Sequence, residues 1–412
     1  MNAQSISFTT NSMPASMLER RPESIFLVVA TYFVVVTAFA GQISGQFSEK
    51  RATAPAEIFR VPTGITNGTW RERIPPNNPV TSAKVTLGQA LFFDKRFSAD
   101  GTVSCATCHD PANAFTDHNA VAVGVSGKTG TRNVPTILNA MFSERLFWDG
   151  RALTLEEQAK QPLTNKFEMG MGSYDAVVAR LAAIPQYRRA FRLAFEKEGL
   201  TIDTITKAIA SFERTQLSGN SPFDRFITGT HDAITEAQKR GWLLFQGRAK
   251  CIECHNYSME SPFFSDFNFH NTGIGLFDKN LESLINRLTE LQRTNDQGLS
   301  LLTHTEGVSE LGRYLVTLNP KDIGVFKTAT LRDIELTGPY MHNGSQKTLL
   351  DVVKFYVKGG KPNPNLDERM LPLNLTDQEI NDLVEFLRAL TSDDILRETQ
   401  SARPQIRTAV PK

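Results

Sequence analysis

Apolar residues recur at three- and four-residue spacing through much of the chain, which predicts amphipathic helices rather than strands. The spacing is clearest over residues 173–183 and 201–215 and weaker over residues 190–200. A further helix is expected to begin near Ser82, and a last one after Thr376, where a Thr-x-x-Glu spacing has the form of a capping box. No stretch sustains the alternation of apolar and polar residues that marks a half-buried strand. The pattern predicts an all-α fold with short strands at most.

The first apolar run lies near the N-terminus, over residues 25–40, and follows Arg20 and Arg21. It closes with an Ala-x-Ala sequence, so residues 1–41 have the positive flank, short apolar core and small-residue end of a secretory signal. A transmembrane helix needs about 20 apolar residues, more than this run offers, although an uncleaved membrane anchor stays the alternative. Either interpretation places the rest of the chain outside the cytoplasm.

Composition bounds the organisation further. A chain of 412 residues is long enough for two or three domains. The net charge is +1 and no basic runs occur, so nucleic acid is not expected as a partner. Residues 42–79 are rich in Pro, Thr, Asn and Gly and predict an extended leader, whereas residues 395–412 are polar and predict a loose tail.

All four cysteines fall in two Cys-x-x-Cys-His pentapeptides, which contain Cys105, Cys108 and His109 in the first and Cys251, Cys254 and His255 in the second. This pentapeptide is typical of c-type haem attachment, because two thiols one helical turn apart can each add to a porphyrin vinyl group while the histidine ligates the iron. A zinc site or a redox-active Cys-x-x-Cys pair is the alternative. Zinc-binding pairs normally lie closer together in sequence, and zinc does not require a histidine after both pairs.

The residues around the two pentapeptides repeat. Residues 87–93 lead into the first as residues 240–245 lead into the second, and Phe-Thr-Asp at 115–117 is echoed by Phe-Ser-Asp at 264–266. The sequence therefore predicts an all-α protein with two c-type cytochrome domains, each with one covalently bound haem. The predicted domains are residues 80–230 and residues 231–394.

A cytochrome that only carries electrons needs two axial ligands on each iron, whereas an enzyme keeps one iron face open. Outside the pentapeptides, each remaining histidine is more often a surface or hydrogen-bonded residue than a ligand. These histidines are His118, His231, His270, His304 and His342.

Several further stretches, over roughly residues 80–392, resemble the bacterial di-haem cytochrome c peroxidase family and, within it, the MauG-like branch. The matching stretches are Leu87-Gly88-x-x-Leu91-Phe92-Phe93-Asp94, residues 104–109, Thr131-Arg132-Asn133-x-Pro135-Thr136, Phe147-Trp148-Asp149-Gly150-Arg151, Glu157-Gln158-Ala159, Glu168-Met169, the second pentapeptide, Thr330-Leu331-Arg332 and Thr337-Gly338-Pro339-Tyr340-Met341-His342-Asn343-Gly344.

The resemblance implies an N-terminal peroxidatic haem with His109 as its proximal ligand, and a C-terminal electron-relay haem with His255 as a ligand. Glu168 matches the family's acid–base residue, and a positioned carboxylate suits proton transfer between the two peroxide oxygens. Without the motif, a solvated charge at a helix end would be favoured for Glu168. Trp148 matches an electron-relaying aromatic residue between the haems, although a lone Trp is more often a core residue.

The resemblance also implies a calcium site at the domain junction. Its ligands would be Asn133 and the backbone oxygens of Thr337 and Pro339, because oxygen donors suit a hard cation.

Two departures from ordinary family members define the branch. The position of the histidine that caps the resting peroxidatic iron is Val125, which cannot ligate, and His118 is out of register. Tyr356 stands where electron-relay haems usually have methionine, and MauG-like members have tyrosine there. Phenolate stabilises oxidised iron, so the second haem is expected to be hard to reduce. A core tyrosine, with Met341 or Met370 as the ligand, is the alternative.

The resemblance implies reduction of hydrogen peroxide in the periplasm. Electrons would come from a small cytochrome c or cupredoxin, or from residues of a protein substrate. The alternative is a non-catalytic di-haem electron-transfer cytochrome with both irons capped. Residues 277–308 form a segment longer than is usual in the family. Covering an interface and covering a substrate approach are the two alternatives for its role, and the sequence does not choose between them.

Overall fold

The computed structural model describes residues 58–65, 69–276, 279–294 and 298–408, and the structural statements below apply to these residues. The predicted signal or anchor, residues 1–41, lies outside them. None of the helices in this described part combines the length and apolar character needed to cross a bilayer.

The prediction of a helical fold is confirmed, since the described part of the chain is mostly helical and has one two-stranded antiparallel pair of strands, β1 (Phe269–His270) and β2 (Phe326–Lys327). The helices are α1 (Thr69–Glu72), α2 (Ser82–Phe93), α3 (Cys105–Cys108), α4 (Leu155–Thr164), α5 (Tyr174–Ala182), α6 (Pro185–Phe195), α7 (Ile202–Glu213), α8 (Pro222–Ile227), α9 (Glu236–Gln246), α10 (Leu281–Thr294), α11 (Gly298–Leu302), α12 (Tyr314–Thr317), α13 (Leu349–Val357), α14 (Asp377–Arg388) and α15 (Asp393–Thr408).

The helices predicted over 173–183 and 201–215 are α5 and α7, and the one predicted near Ser82 is α2. The weaker prediction is displaced, because α6 begins at Pro185, where the fixed φ of proline suits the first helical turn. The predicted capping box opens α14: the Glu379 amide donates to Thr376 Oγ1, and the Thr376 amide donates to Glu379 Oε2.

Two helix pairs form the framework, α2 against α7 in the first half and α9 against α14 in the second. A glycine permits each crossing. A Cβ on Gly88 would lie 1.9 Å from the Ala208 carbonyl oxygen, and a Cβ on Gly241 would lie 2.0 Å from the Asp382 carbonyl oxygen. The two glycines occupy equivalent places in the sequence repeat, so the repeat extends to the way the helices cross.

Substituting alanine for Gly88 or Gly241 is expected to lower the free energy of unfolding by about 1–3 kcal/mol, because the added methyl group would separate two packed backbones. Denaturant unfolding measures the change. Gly172→Ala is the matched control, since a Cβ there meets open space. Unfolding midpoints for the Gly88 and Gly241 variants equal to that of Gly172→Ala would refute this account of the crossings.

The repeat includes a second feature, which is not apparent from the sequences of the two halves. Residues 146–152 and 340–346 each form a turn closed by an isolated β-bridge between its ends, and each turn leads to a threonine N-cap, of α4 and of α13. Trp148 and His342 occupy the same place in the two turns, and their ring centroids lie 6.5 Å apart. The two turns therefore meet at these two rings, which contact each other edge-on.

The terminal predictions need correction. Of the predicted extended leader, residues 58–65 and 69–79 are described, and this part contains α1 and buries Phe59, Ile65 and Trp70 in the core of the first half. The predicted loose tail is helical through the end of α15, and Ile395 and Thr399 are buried. Apolar anchors in both segments outweigh their polar composition.

The division into domains at residues 230 and 231 stays a prediction. The described residues from 58 onward belong to one compact unit. Helix α8, which the sequence assigned to the first domain, packs on the second half through Phe223, whose ring contacts those of Trp242 and Phe386. Arg332 holds the same helix by donating to both carboxylate oxygens of Asp224 at 2.8 Å.

Candidate haem sites

The first pentapeptide forms α3, a single helical turn. The amide of Ser104 donates to Thr107 Oγ1 at the start of the turn, and the amide of His109 donates to the Cys105 carbonyl at its end. Desolvation raises the pKa of the Cys108 thiol to about 12 and that of the Cys105 thiol further. The two thiols lie one helical turn apart, as the attachment chemistry requires.

The two pentapeptide histidines have the same environment. His109 Nδ1 lies 3.3 Å from the Phe115 carbonyl oxygen, and His255 Nδ1 lies 2.9 Å from the Phe264 carbonyl oxygen. Desolvation lowers the pKa of both imidazoles. A neutral imidazole that donates from Nδ1 keeps its Nε2 lone pair for iron. The donor set at each pentapeptide therefore fits one c-type haem.

The arrangement does not favour the zinc alternative. Among the described residues, the only cluster close enough to share a metal ion is Cys254, Asp266 and His270, whose ligand atoms lie within 4.8 Å of one another. It includes one cysteine of one pair and neither pentapeptide histidine. Burial lowers the pKa of His270, but Asp266 at 2.8 Å, the neighbouring Cys254 sulfur and Asp367 at 2.8 Å together raise it to about 10.

Tyr356 lies on α13 beside the second pentapeptide. Burial raises the pKa of its hydroxyl, and the neighbouring Cys254 and Cys251 sulfurs raise it further. Within the described part of the chain, no hydrogen bond engages this hydroxyl. The oxygen of this desolvated hydroxyl group is therefore available to ligate a haem iron. Met370 instead packs against Gly360, where a Cβ would lie 2.8 Å from its terminal methyl group.

Glu168 follows α4 and is fixed by its backbone. The Glu168 amide donates to the Asn165 carbonyl at 3.0 Å, and the Val125 amide donates to the Glu168 carbonyl at 2.9 Å. The side chain is 25% exposed, and its Oε1 accepts a 2.7 Å hydrogen bond from Asn165 Nδ2. The carboxylate is thus a positioned group rather than a freely solvated charge.

The loop carrying Val125 packs directly on Glu168. Val125 is buried, and a Cβ on the preceding Gly124 would lie 2.1 Å from the Phe167 carbonyl oxygen. Cys108 Sγ lies 3.7 Å from the Val123 carbonyl oxygen in the same loop. The loop therefore connects the first pentapeptide to Glu168 and places a valine there. His118 is turned away and contacts the Gly338 carbonyl oxygen through Nδ1 at 2.8 Å.

Trp148 is tied to the junction of the two turns. Its Nε1 donates to the Asn133 carbonyl at 2.8 Å. The neighbouring His342 stacks on Phe326 with ring centroids 3.6 Å apart and contacts Glu310 Oε2 through Nε2 at 2.7 Å. These contacts hold the indole in a fixed place between the halves of the chain.

Asn133, the predicted calcium ligand, lies at the same junction. Its amide donates to the His342 carbonyl, and its Nδ2 donates to the Asn119 carbonyl at 2.9 Å. The Oδ1 atom is left as the side-chain donor for a cation. The peptide bond from Gly338 to Pro339 is cis, within the segment that carries the other predicted donors. Calcium binding stays a prediction.

Sequence reasoning missed two residues at the Glu168 site. His304 Nε2 lies 3.3 Å from Glu168 Oε1, and Asn165 Nδ2 lies 3.2 Å from the same imidazole nitrogen. His304 comes from the long segment over 277–308, for which the sequence offered no role. No periodicity or motif connects it to Glu168. The Asn-x-x-Glu spacing after α4 was the one local signal for Asn165.

The comparisons with known proteins agree with this geometry. Residues 82–232 match the family model of di-haem cytochrome c peroxidase, CCP_MauG. The cytochrome-c peroxidase IdrP1 of Pseudomonas sp. (strain SCT) is 34% identical over 390 residues, which cover 94% of this chain and 97% of that protein. The methylamine utilization protein MauG of Methylorubrum extorquens is 37% identical over 363 residues, which cover 88% of this chain and 91% of that protein. A crystal structure of a MauG-like protein associated with microbial copper homeostasis matches with a TM-score of 0.66 at 32% identity, covering 82% of this chain and 96% of that one.

Proposed function

Because the chain belongs to the di-haem cytochrome c peroxidase family, in its MauG-like branch, we propose that it reduces hydrogen peroxide with electrons from an external donor. The net reaction is H2O2 + 2 H+ + 2 e− → 2 H2O. The observation that carries the proposal is the fixed carboxylate of Glu168, whose backbone carbonyl accepts a hydrogen bond from the Val125 amide. Valine cannot ligate an iron. An electron carrier has no need of that combination.

The residues of each pentapeptide would hold one haem, with Cys105, Cys108 and His109 at the first site and Cys251, Cys254 and His255 at the second. When bound, haem supplies an iron that can bind peroxide and exchange electrons.

Glu168 would carry a proton between the two peroxide oxygens as the O–O bond breaks. The backbone hydrogen bond from Val125 to Glu168 keeps the loop in place, so no displacement of a protein ligand would precede peroxide entry. At the second site Tyr356 would provide a phenolate ligand, which favours the oxidised state. Trp148, held by its hydrogen bond to Asn133, would relay electrons between the sites.

The proposal extends to partners and location. The chain would be exported through residues 1–41 and act in the periplasm, either soluble or anchored by that segment. Its electrons would come from a small cytochrome c or cupredoxin, or from residues of a protein substrate. Calcium would bind Asn133 Oδ1 with the carbonyl oxygens of Thr337 and Pro339.

Rapid mixing of the all-ferric protein with one equivalent of hydrogen peroxide tests the proposal. If Tyr356 ligates the second haem, a spectral change in both haems is expected without prior reduction. Reaction only after one-electron reduction would mean an ordinary peroxidase, in which Tyr356 is not the ligand. No response to peroxide or cyanide in either state would leave a non-catalytic electron carrier.

Replacing the cysteines of one pentapeptide tests the number and place of the haems. The double variant Cys105→Ser/Cys108→Ser is expected to retain one covalent haem per chain, as is Cys251→Ser/Cys254→Ser, because each pair attaches its own porphyrin. Mass spectrometry of the denatured chains and haem quantification measure this. Unchanged haem content in either variant, or stoichiometric zinc in the wild type, would contradict the assignment.

A further inference from the structure

We propose that His304 is a positioning residue for Glu168 and that the long segment over 277–308 serves to deliver it. The inference rests on the proposed function, since it concerns the same acid–base carboxylate. His304 follows α11 and reaches across to the loop after α4, where its Nε2 lies 3.3 Å from Glu168 Oε1.

The imidazole ring is fixed in orientation. It stacks on Phe167 with ring centroids 5.2 Å apart and an interplanar angle of 5°. Its Nδ1 lies 2.7 Å from the Ser300 carbonyl oxygen, one turn earlier in the chain. A carbonyl can only accept, so Nδ1 carries a proton and Nε2 is left to accept a hydrogen bond from the loop after α4. The His304 side chain is 8% exposed, so water does not replace these contacts freely.

Asn165 joins the two groups. Its Oδ1 accepts from the Phe167 amide at 3.0 Å, which fixes the orientation of the side-chain amide. Its Nδ2 donates to Glu168 Oε1 at 2.7 Å and lies 3.2 Å from His304 Nε2, so its two protons serve two acceptors. Because an Nε2 atom that accepts from Asn165 has no proton to donate, His304 acts on the Glu168 carboxylate through Asn165. Glu168 Oε1 is thereby committed to the network, and Oε2 is left for the peroxide proton.

The segment that carries His304 is anchored on both sides of it. Thr131 Oγ1 donates to the Thr303 carbonyl at 2.7 Å, which ties the segment to the first half of the chain. Its helices pack around an apolar cluster of their own, which contains Leu284, Leu288, Leu302, Val308 and Leu311. A histidine supported by such a packed cluster is held closely enough to orient a neighbouring carboxylate. Residues 298–308 thus form one wall of the Glu168 site.

Loss of the histidine would let the Glu168 carboxylate rotate about its side chain, and a displacement of about 1 Å in a reacting group can cost on the order of 10²-fold in rate. Because Asn165 still holds Oε1 in that case, a smaller loss is expected. His304→Leu should lower the second-order rate constant for peroxide with the ferric holoprotein about 10-fold. His304→Gln, whose Oε1 can accept from Asn165 Nδ2 as the imidazole nitrogen does, should recover most of the loss.

The double variant separates positioning from a general effect on the fold. In a Glu168→Gln background, His304→Leu should change the rate by less than about 2-fold, because the group that it positions is already gone. Glu306→Gln is the matched control, since Glu306 is exposed and lies two residues further along the same segment. It should react at the wild-type rate.

A readout independent of peroxide chemistry accompanies the kinetics. The thermal unfolding midpoints of the two single variants and the double variant should be non-additive, because residues in one hydrogen-bond network are coupled. Additive midpoints, or a wild-type rate in His304→Leu while Glu168→Gln is slow, would overturn the inference but leave the proposed function intact. Failure of the wild type to react with peroxide would instead refute the proposed function. In that case the comparison of unfolding midpoints among the single and double variants would still show whether His304 is coupled to Glu168.

Discussion

Replacing Tyr356 by methionine is expected to raise the reduction potential of the second haem by on the order of a few hundred millivolts, since axial ligands set haem potentials over a range of about 0.8 V. Phenolate stabilises ferric iron, whereas a thioether favours the reduced state. The structure provides the premise, a desolvated hydroxyl beside Cys251 and Cys254 with no partner among the described residues. Spectroelectrochemical titration of both haems measures the shift.

Two further variants make that result interpretable. Tyr356→Phe removes the phenol without supplying a ligand, and it should change the spectrum of the second haem without producing the methionine-ligated potential. Tyr257→Phe is the matched control, because Tyr257 stacks on Phe264 at 4.8 Å in the same half and has no expected role as a ligand. An unchanged potential and spectrum in Tyr356→Met would exclude Tyr356 as the ligand and favour a core tyrosine.

The second large effect is expected at Glu168. Glu168→Gln should lower the second-order rate constant for peroxide by about 10²-fold or more, because an amide cannot move a proton between the two oxygens. The substitution keeps the shape of the side chain and can preserve its contact with Asn165. Stopped-flow absorbance of the ferric holoprotein provides the rate.

Glu144→Gln is a suitable control for that measurement, because the Glu144 side chain is exposed. It should react at the wild-type rate. The potentials of both haems should stay the same in Glu168→Gln, which separates a loss of proton transfer from a change at the iron. Wild-type peroxide kinetics in Glu168→Gln would eliminate this residue as the acid–base group.

The relatives confirm the resemblance to the di-haem cytochrome c peroxidase family that the sequence suggested. The family could be recognised from the sequence because its features are local. The pentapeptides are contiguous, so α3 and the paired environments of His109 and His255 follow from a few adjacent residues. The capping box that opens α14 is local in the same sense. Long periodic helices such as α7 were predictable because their apolar positions report burial on one face.

The terminal segments were predicted less well for a related reason. Polar and proline-rich composition suggested an extended leader and a loose tail, but Phe59, Trp70 and Ile395 pack into the body of the protein. Composition averages over a segment, whereas a few buried apolar side chains decide whether it docks.

By itself, then, the sequence determined the two pentapeptides, the helical class, the repeated architecture and the residue types at positions 125, 168 and 356. Only the tertiary structure decided which residues meet. Gly88 lies against Ala208, and His304 lies against Glu168, although each pair is distant in the chain. Periodicity shows which face of a helix is buried but not which helix covers it, because that choice depends on packing among all the elements at once. The partners of Glu168 therefore became visible only in the folded chain.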